Sequence, residues 1–321
     1  MPLIDMPLEE LKKYNGINPK PSDFDEFWDA SIEEMERTEP NVSIIKNSFE
    51  SPMVDCYDLY FDGTRNGRVH AKFMKPKKIE GKAPAILFFH GYSGSSPDFM
   101  YYMNYAASGY VVAAMDCRGQ GGTSTDMNPV VGNTYAGHII RGFDEPDPAN
   151  MYFRNVFLDT ALLARIVMSM DYVDENRVAA EGGSQGGALT VACAALTPDL
   201  KLAIPHFPFL SDYKRVWEMD LDVAAYGELR TYFRYYDPLH EREDEIFTKL
   251  GYIDLQHLAP RIKAEVVMST GLMDNICPPS TQFAIYNKIT SKKSVFIYPD
   301  FGHEDLKGSM DRIAKKIFMV L

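Results

Sequence analysis

Cysteine is scarce in this chain: Cys56, Cys117, Cys193 and Cys277 are spread over 321 residues without any C-x-x-C spacing. That scarcity argues against a disulfide framework and offers no zinc-binding pattern. Free buried thiols are the expectation, with a single disulfide in an oxidising compartment as the alternative. Long apolar runs are missing too. No stretch approaches the roughly 18 apolar residues of a membrane span. The opening Met1-Pro2-Leu3-Ile4-Asp5 has neither the basic start nor the apolar core of an export signal. The expected location is therefore cytoplasmic, with no membrane partner. Basic residues are outnumbered, 33 Lys and Arg against 45 Asp and Glu, giving a formal net charge of -12. Such a chain repels polyanions, and no local basic patch compensates, so nucleic acid is not an expected partner. Repeats and low-complexity tracts are also wanting.

What is present reads as an ordinary globular composition, 45% hydrophobic and 24% charged. Residues 1–321 are expected to form a single α/β domain. Ser22-Asp23 precedes Phe24, Phe27, Trp28 and Ile32, whose spacing gives one apolar helix face running towards Arg37. Three strand-like stretches follow, Val42 to Phe49, Asp55 to Phe61 and Arg68 to Lys75, separated by polar turns. They read as an antiparallel start to a sheet. From Ala85 the pattern changes to short continuous apolar runs, Ala85 to Phe89, Val111 to Met115, Val178 to Ala180 and Val266 to Met268, with helix-like segments between them. Strands of that kind are covered on both faces, and their alternation with helices implies a mostly parallel, doubly wound sheet. Between Leu202 and Ala259 no strand-like run is visible and aromatics crowd together, which suggests a helical cap inserted at approximately 206–259.

Ligands of such sheets collect beyond the carboxyl ends of the strands. There, Glu181-Gly182-Gly183-Ser184-Gln185-Gly186-Gly187 follows one apolar strand and precedes the helix-forming run Ala188 to Leu196. Strand, tight turn and helix make the nucleophile elbow of an α/β-hydrolase, which needs small residues two before and two after the serine. Gly182 and Gly186 fill those positions. A serine hydroxyl needs a base, and the base needs an acid to fix its tautomer. In this fold both follow the serine in chain order. Asp274 comes just after Val266 to Thr270, and His303 just after Ser294 to Tyr298. Asp300 competes with Asp274 but shares the histidine's own loop; His206 comes too early; His240 and His257 lie in the expected cap. Backbone N–H groups of Gln185, at the helix N-terminus, and of Tyr92, in the loop Phe89-His90-Gly91-Tyr92-Ser93-Gly94, are the expected oxyanion donors. His90 belongs to that loop and is read as structural. Phe207, Phe209, Tyr213 and Trp217 could line an acyl pocket or face a sugar ring, but are read as core aromatics and take no site role.

With these residues placed, the chain resembles the acetyl xylan esterase and cephalosporin C deacetylase family, one of the carbohydrate esterase families. The motifs that carry the resemblance are Arg118-Gly119-Gln120, Gly182-Gly183-Ser184-Gln185-Gly186-Gly187 and His303-Glu304, with Pro7-Leu8-Glu9-Glu10-Leu11, His90-Gly91-Tyr92 and Gly271-Leu272-Met273-Asp274 beside them. The resemblance runs over nearly the whole chain, departing at Ser93, where the family often has asparagine. It implies Ser184, Asp274 and His303 as the triad and Tyr92 and Gln185 as the oxyanion hole. It also implies O-acetyl groups on short xylooligosaccharides and on small esters such as cephalosporin C as substrates, no metal or other cofactor, and a homohexamer built as a trimer of dimers. Arg118 and Gln120 take structural places near the site. Two rival readings are a peptidase of the prolyl oligopeptidase type, which would need a large N-terminal propeller, and a non-catalytic binding protein on the same fold.

Overall fold

The computed structural model describes residues 4–132 and 137–321. Its strands are β1 (Ser43–Lys46), β2 (Val54–Gly63), β3 (Gly67–Pro76), β4 (Ala83–Phe89), β5 (Val111–Met115), β6 (Thr125–Asp126), β7 (Val173–Gly183), β8 (Leu202–His206), β9 (Glu265–Gly271) and β10 (Lys293–Tyr298). They form one ten-stranded sheet in the order β1-β2-β3-β5-β4-β7-β8-β9-β10, with β6 pairing β3 off that path. The first three strands are antiparallel, as the sequence suggests, and β3 meets β5 antiparallel. From β5 to β10 every pairing is parallel. The chain runs from β4 outward to β5 and then back across β4 to β7, so the strand order reverses at β4. Ligands of open α/β sheets bind at that reversal.

Two-sided cover explains the continuous apolar runs. Along β4, Ala85, Leu87 and Phe89 face one core and Ile86 and Phe88 the other. The first core takes the helices Phe24–Arg37, Tyr152–Met168 and Gln185–Leu196; the second takes Phe99–Ala107 and Ser309–Val320. The helix Phe24–Arg37 buries Phe24, Trp28, Ser31 and Met35, one stripe at helical spacing. Asp23 stands at its N-cap but makes no side-chain cap bond; its carboxylate instead accepts from Tyr252 Oη at 2.6 Å. All residues of Gln185–Leu196 are buried, as suits a helix that is apolar all round.

One expectation fails between Leu202 and Ala259: Leu202–His206 is not part of a helical run but the strand β8, inserted between β7 and β9. Pro205 hides it, because proline weakens a strand reading. Beyond β8 the segment is helical, with helices at Tyr213–Glu218, Gly227–Tyr236, Glu243–Leu250 and Leu255–Leu258 before β9. The topology is that of an α/β-hydrolase with antiparallel N-terminal strands and a helical insertion. No helix among the described residues is long and apolar enough to cross a membrane.

Candidate active site

β7 ends at Gly183 and the next helix starts at Gln185, leaving Ser184 alone to reverse the chain. Its backbone sits at φ 58° and ψ −120°, a conformation that is strained for any residue with a side chain and costs about 1–3 kcal/mol. Packing holds it there. A Cβ on Gly182 would lie 2.5 Å from the Gly186 carbonyl carbon, and one on Gly186 would lie 2.1 Å from the Phe89 carbonyl oxygen. Only glycine lets the strand, the helix and the neighbouring β4 loop close on each other. The Ser184 N–H donates to the His206 carbonyl at the end of β8 (3.0 Å), and Phe209 N–H donates to Ser184 O (3.1 Å).

Asp274 and His303 arrive from the loops after β9 and β10 and meet Ser184 in one line. His303 Nε2 lies 2.9 Å from Ser184 Oγ, and His303 Nδ1 lies 2.9 Å from Asp274 Oδ2. Asp274 is fully buried. Its Oδ1 accepts the N–H groups of Ile276 (2.9 Å) and Cys277 (2.8 Å), and Gln282 Nε2 donates to Oδ2 at 3.4 Å. These donors hold the buried carboxylate aimed at the imidazole. With Nδ1 donating to the carboxylate, Nε2 is left as the acceptor for the serine proton. Asp300, the competing acid, lies exposed in the loop before His303 and is not bonded to it among the described residues.

Of the expected oxyanion donors, Tyr92 lines the same cavity as Ser184, and Gln185 follows it at the start of the helix. Among the described residues, the backbone N–H groups of Tyr92 and Gln185 donate to no other protein group. The Gln185 side chain ties the elbow to its surroundings: it exchanges amide bonds with Gln120 (2.8 and 3.0 Å) and reaches the carbonyls of His90 and Gly91 (3.4 Å each). Gln120 also donates to Tyr152 Oη (3.0 Å), which donates to the Arg118 carbonyl (2.5 Å). Arg118 is completely buried and pairs with Asp159 through Nε (2.7 Å) and Nη2 (2.5 Å). The Arg-Gly-Gln segment thus braces the elbow from behind. His90 is engaged in the same brace: Nδ1 bonds the Gly91 carbonyl (2.7 Å) and Nε2 accepts from Cys117 N–H (2.9 Å). Burial lowers its pKa, which suits a neutral imidazole fixing the loop.

Three features here had no readable signal in the sequence. Phe207, in the left-handed region at φ 31°, places its ring 4.7 Å from the His303 imidazole in an edge-on arrangement. The N–H groups of Ile276 and Cys277 that hold Asp274 come from the turn after β9, and Gln282 reaches it from the helix Pro279–Lys288. Cys277 is buried beside the triad, one ligand atom each of Asp274, Cys277 and His303 lying within 4.8 Å of one another. Burial first, then the Asp274 charge, pushes the thiol well above its ordinary range, so Cys277 stays protonated and is not a rival nucleophile. This is the one cluster among the described residues with metal-ligand composition. Both ring nitrogens of His303 and both oxygens of Asp274 are already spoken for, an arrangement that suits a proton relay.

A cavity of about 500 Å³ opens over the hydroxyl, lined by Gly91, Tyr92, Phe209, Ala224, Ala225 and Ile276 around Ser184 and His303. Ala224 and Ala225 come from the helical insertion, so it contributes wall to the site. Phe209 lines the cavity while packing on Tyr92 and Tyr226; Tyr213 and Trp217 pack within the insertion, Tyr213 on Tyr226 and Trp217 stacked on Phe233 at 4.6 Å. The chemistry available is attack by an activated hydroxyl on a small acyl carbonyl.

Comparison with known proteins points the same way. A family profile described as acetyl xylan esterase (AXE1) matches residues 1–318. Acetyl xylan esterase 1 from Thermoanaerobacterium sp. JW/SL YS485 is 54% identical, with a TM-score of 0.97 over 98% of this chain and 99% of that one. The acetyl xylan esterase from Paenibacillus sp. R4 is 34% identical, with a TM-score of 0.93 over 98% of this chain and 100% of that one. The acetyl esterase Axe7A of Xylanibacter ruminicola is 29% identical over 297 residues, 91% of this chain but 64% of the relative, so the chain spans just under two thirds of that protein's length. An acylaminoacyl peptidase from Pyrococcus horikoshii, 18% identical at a TM-score of 0.58, shares the fold alone.

Proposed function

The chain belongs to the acetyl xylan esterase family, and from that premise we propose that it is a serine esterase removing O-acetyl groups from short acetylated xylooligosaccharides and from small esters such as cephalosporin C. The observation that carries this reading is the position of His303, 2.9 Å from the hydroxyl of Ser184 on one side and 2.9 Å from the buried carboxylate of Asp274 on the other.

In the proposed cycle Ser184 Oγ attacks the acetyl carbonyl carbon while its proton passes to His303 Nε2. The carbonyl oxygen becomes an oxyanion and takes hydrogen bonds from the N–H groups of Tyr92 and Gln185. Such donors act on charge that develops only in the transition state, and losing one typically costs about 2.7–4 kcal/mol. The N-terminus of the helix Gln185–Leu196 adds a favourable partial positive charge at the same point. Collapse releases the sugar alcohol, which takes the proton from His303, and leaves an acetyl-enzyme on Ser184. Water then gives its proton to His303, attacks the acetyl carbon and frees acetate and the serine. The Asp274 carboxylate holds the imidazole in place and stabilises the imidazolium.

The small side chains of Ala224 and Ala225 and the rings of Tyr92 and Phe209 support a site for a short acyl group. We take residues 1–321 as one domain with its helical cap at approximately 206–259, assembled as a homohexamer, a trimer of dimers, and located in the cytoplasm. Four buried free cysteines support a reducing compartment. The test is a rate series over acetyl, propionyl and butyryl esters together with acetylated xylobiose, in the wild type and in Ser184→Ala. The reading expects release of acetate from xylobiose, a steep fall with acyl length, and loss of turnover in a folded variant. A variant that keeps its acetyl-ester activity, free of contaminating esterase, overturns it.

A further inference from the structure

Next to the cavity over Ser184 lies a second, of about 640 Å³, on the side of the sheet covered by the helices Phe99–Ala107 and Ser309–Val320. The size is that of a small-molecule site. The two cavities adjoin: Gly91 lines both, and between them stands Phe207, which touches His303 and also forms wall of the second cavity. The proposed reaction uses none of the groups that give this second space its chemistry.

Those groups have a definite character. Glu181, three residues before the serine, lines this space with a side chain that is 16% exposed, and its Oε1 lies 3.8 Å from His206 Nε2. Asp305 and Asp311 add carboxylates against the single ammonium of Lys307, so an anionic ligand is repelled. A bare metal cation is not favoured either, because these carboxylates do not converge into a cluster of metal-ligand spacing. Tyr101, also on this lining, is 58% exposed and presents an aromatic ring at the rim. Burial first, then the charges of Glu181 and Asp305, hold its phenol above the ordinary range, as expected with both carboxylates nearby. Acceptors in excess, few positive charges and an exposed ring match a neutral polyhydroxylated ring, whose hydroxyls donate to carboxylates while its C–H face packs on an aromatic.

We propose that the second cavity is a saccharide subsite, holding an unacetylated sugar unit of the oligosaccharide whose acetyl ester lies against Ser184, through the Tyr101 ring and the Glu181 and Asp305 carboxylates. The subsite rests on the reading of the chain as a deacetylase of xylooligosaccharides, and it makes chain length a determinant of rate. The test compares wild type, Tyr101→Ala and Glu181→Gln on p-nitrophenyl acetate and on acetylated xylotriose, and measures binding of unacetylated xylotriose by calorimetry. Each variant should lose about tenfold in kcat/KM on the trisaccharide and about tenfold in xylotriose affinity, with p-nitrophenyl acetate unchanged. Equal losses on both esters, or no loss on the trisaccharide, overturn the subsite. A wild type that leaves acetylated xylotriose intact refutes the deacetylase reading instead. Calorimetry then decides the cavity separately: xylotriose that fails to bind, or binds both variants as tightly as wild type, overturns it.

Discussion

Ser184 and His303 meet at a hydrogen-bonding distance that depends on neighbours that form no bond to the substrate. Asp274 fixes which nitrogen of His303 carries a proton, through a 2.9 Å contact to Nδ1. Asp274→Asn would present an amide that favours the wrong tautomer while keeping the shape, and kcat should fall about 10⁴-fold with little change in melting temperature. Steady-state kinetics beside a thermal melt checks both halves. Phe207 acts by contact: its ring, 4.7 Å from the imidazole, limits how far His303 can swing. Phe207→Ala removes that stop and should lower kcat about 10- to 100-fold on p-nitrophenyl acetate, a misplacement effect, whereas an unchanged kcat would make the contact incidental. The meeting of Ser184, Asp274 and His303 is legible in the sequence, because serine, carboxylate and imidazole each follow a strand end in a fixed order along the chain. Phe207 and Gln282 are not. Their places depend on β8 and on the helix Pro279–Lys288 packing back towards the triad, which no local pattern encodes.

At the scale of elements, the elbow is a contact between three backbones. A Cβ at position 186 would press on the Phe89 carbonyl from 2.1 Å, with no flexible side chain to yield. Gly186→Ala should therefore force β4 and the helix Gln185–Leu196 apart, lowering activity and melting temperature together. Glu228, on the insertion helix Gly227–Tyr236, is a second joint. Its Oε2 accepts from the N–H groups of Ile139 (2.6 Å) and Ile140 (3.4 Å), and burial, which outweighs those bonds, pushes its pKa up to about 8 from 4.5. A carboxyl with a raised folded pKa contributes its full stability below about 4.5 and loses it as pH rises to about 8. Glu228→Gln keeps an acceptor oxygen and removes the charge, so the melting temperature should decline less between pH 5 and pH 8 than in wild type. Equal declines by scanning calorimetry would contradict this. The strands around the site were legible from apolar runs, and the antiparallel start from alternation. β8 was lost to Pro205, and the two-residue β6 is too short to leave a pattern.

Across the whole molecule, the parallel half of the sheet brings loops from β4, β7, β9 and β10 to one edge, so residues up to 119 positions apart in sequence share a proton path. The buried Arg118–Asp159 pair locks the loop after β5 to the helix Tyr152–Met168 beneath that edge. Breaking such a pair from one side leaves an uncompensated charge, so Arg118→Met should destabilise the fold by about 3–5 kcal/mol in chemical denaturation. Sedimentation velocity checks the proposed hexamer, for which a stable monomer at micromolar concentration would be the contrary finding. The most direct measurement is to label the protein with a fluorophosphonate and map the adduct by peptide mass spectrometry. A stoichiometric adduct on Ser184, formed as esterase activity disappears, is the outcome expected; full loss of activity with Ser184 unmodified and the label elsewhere would contradict the account.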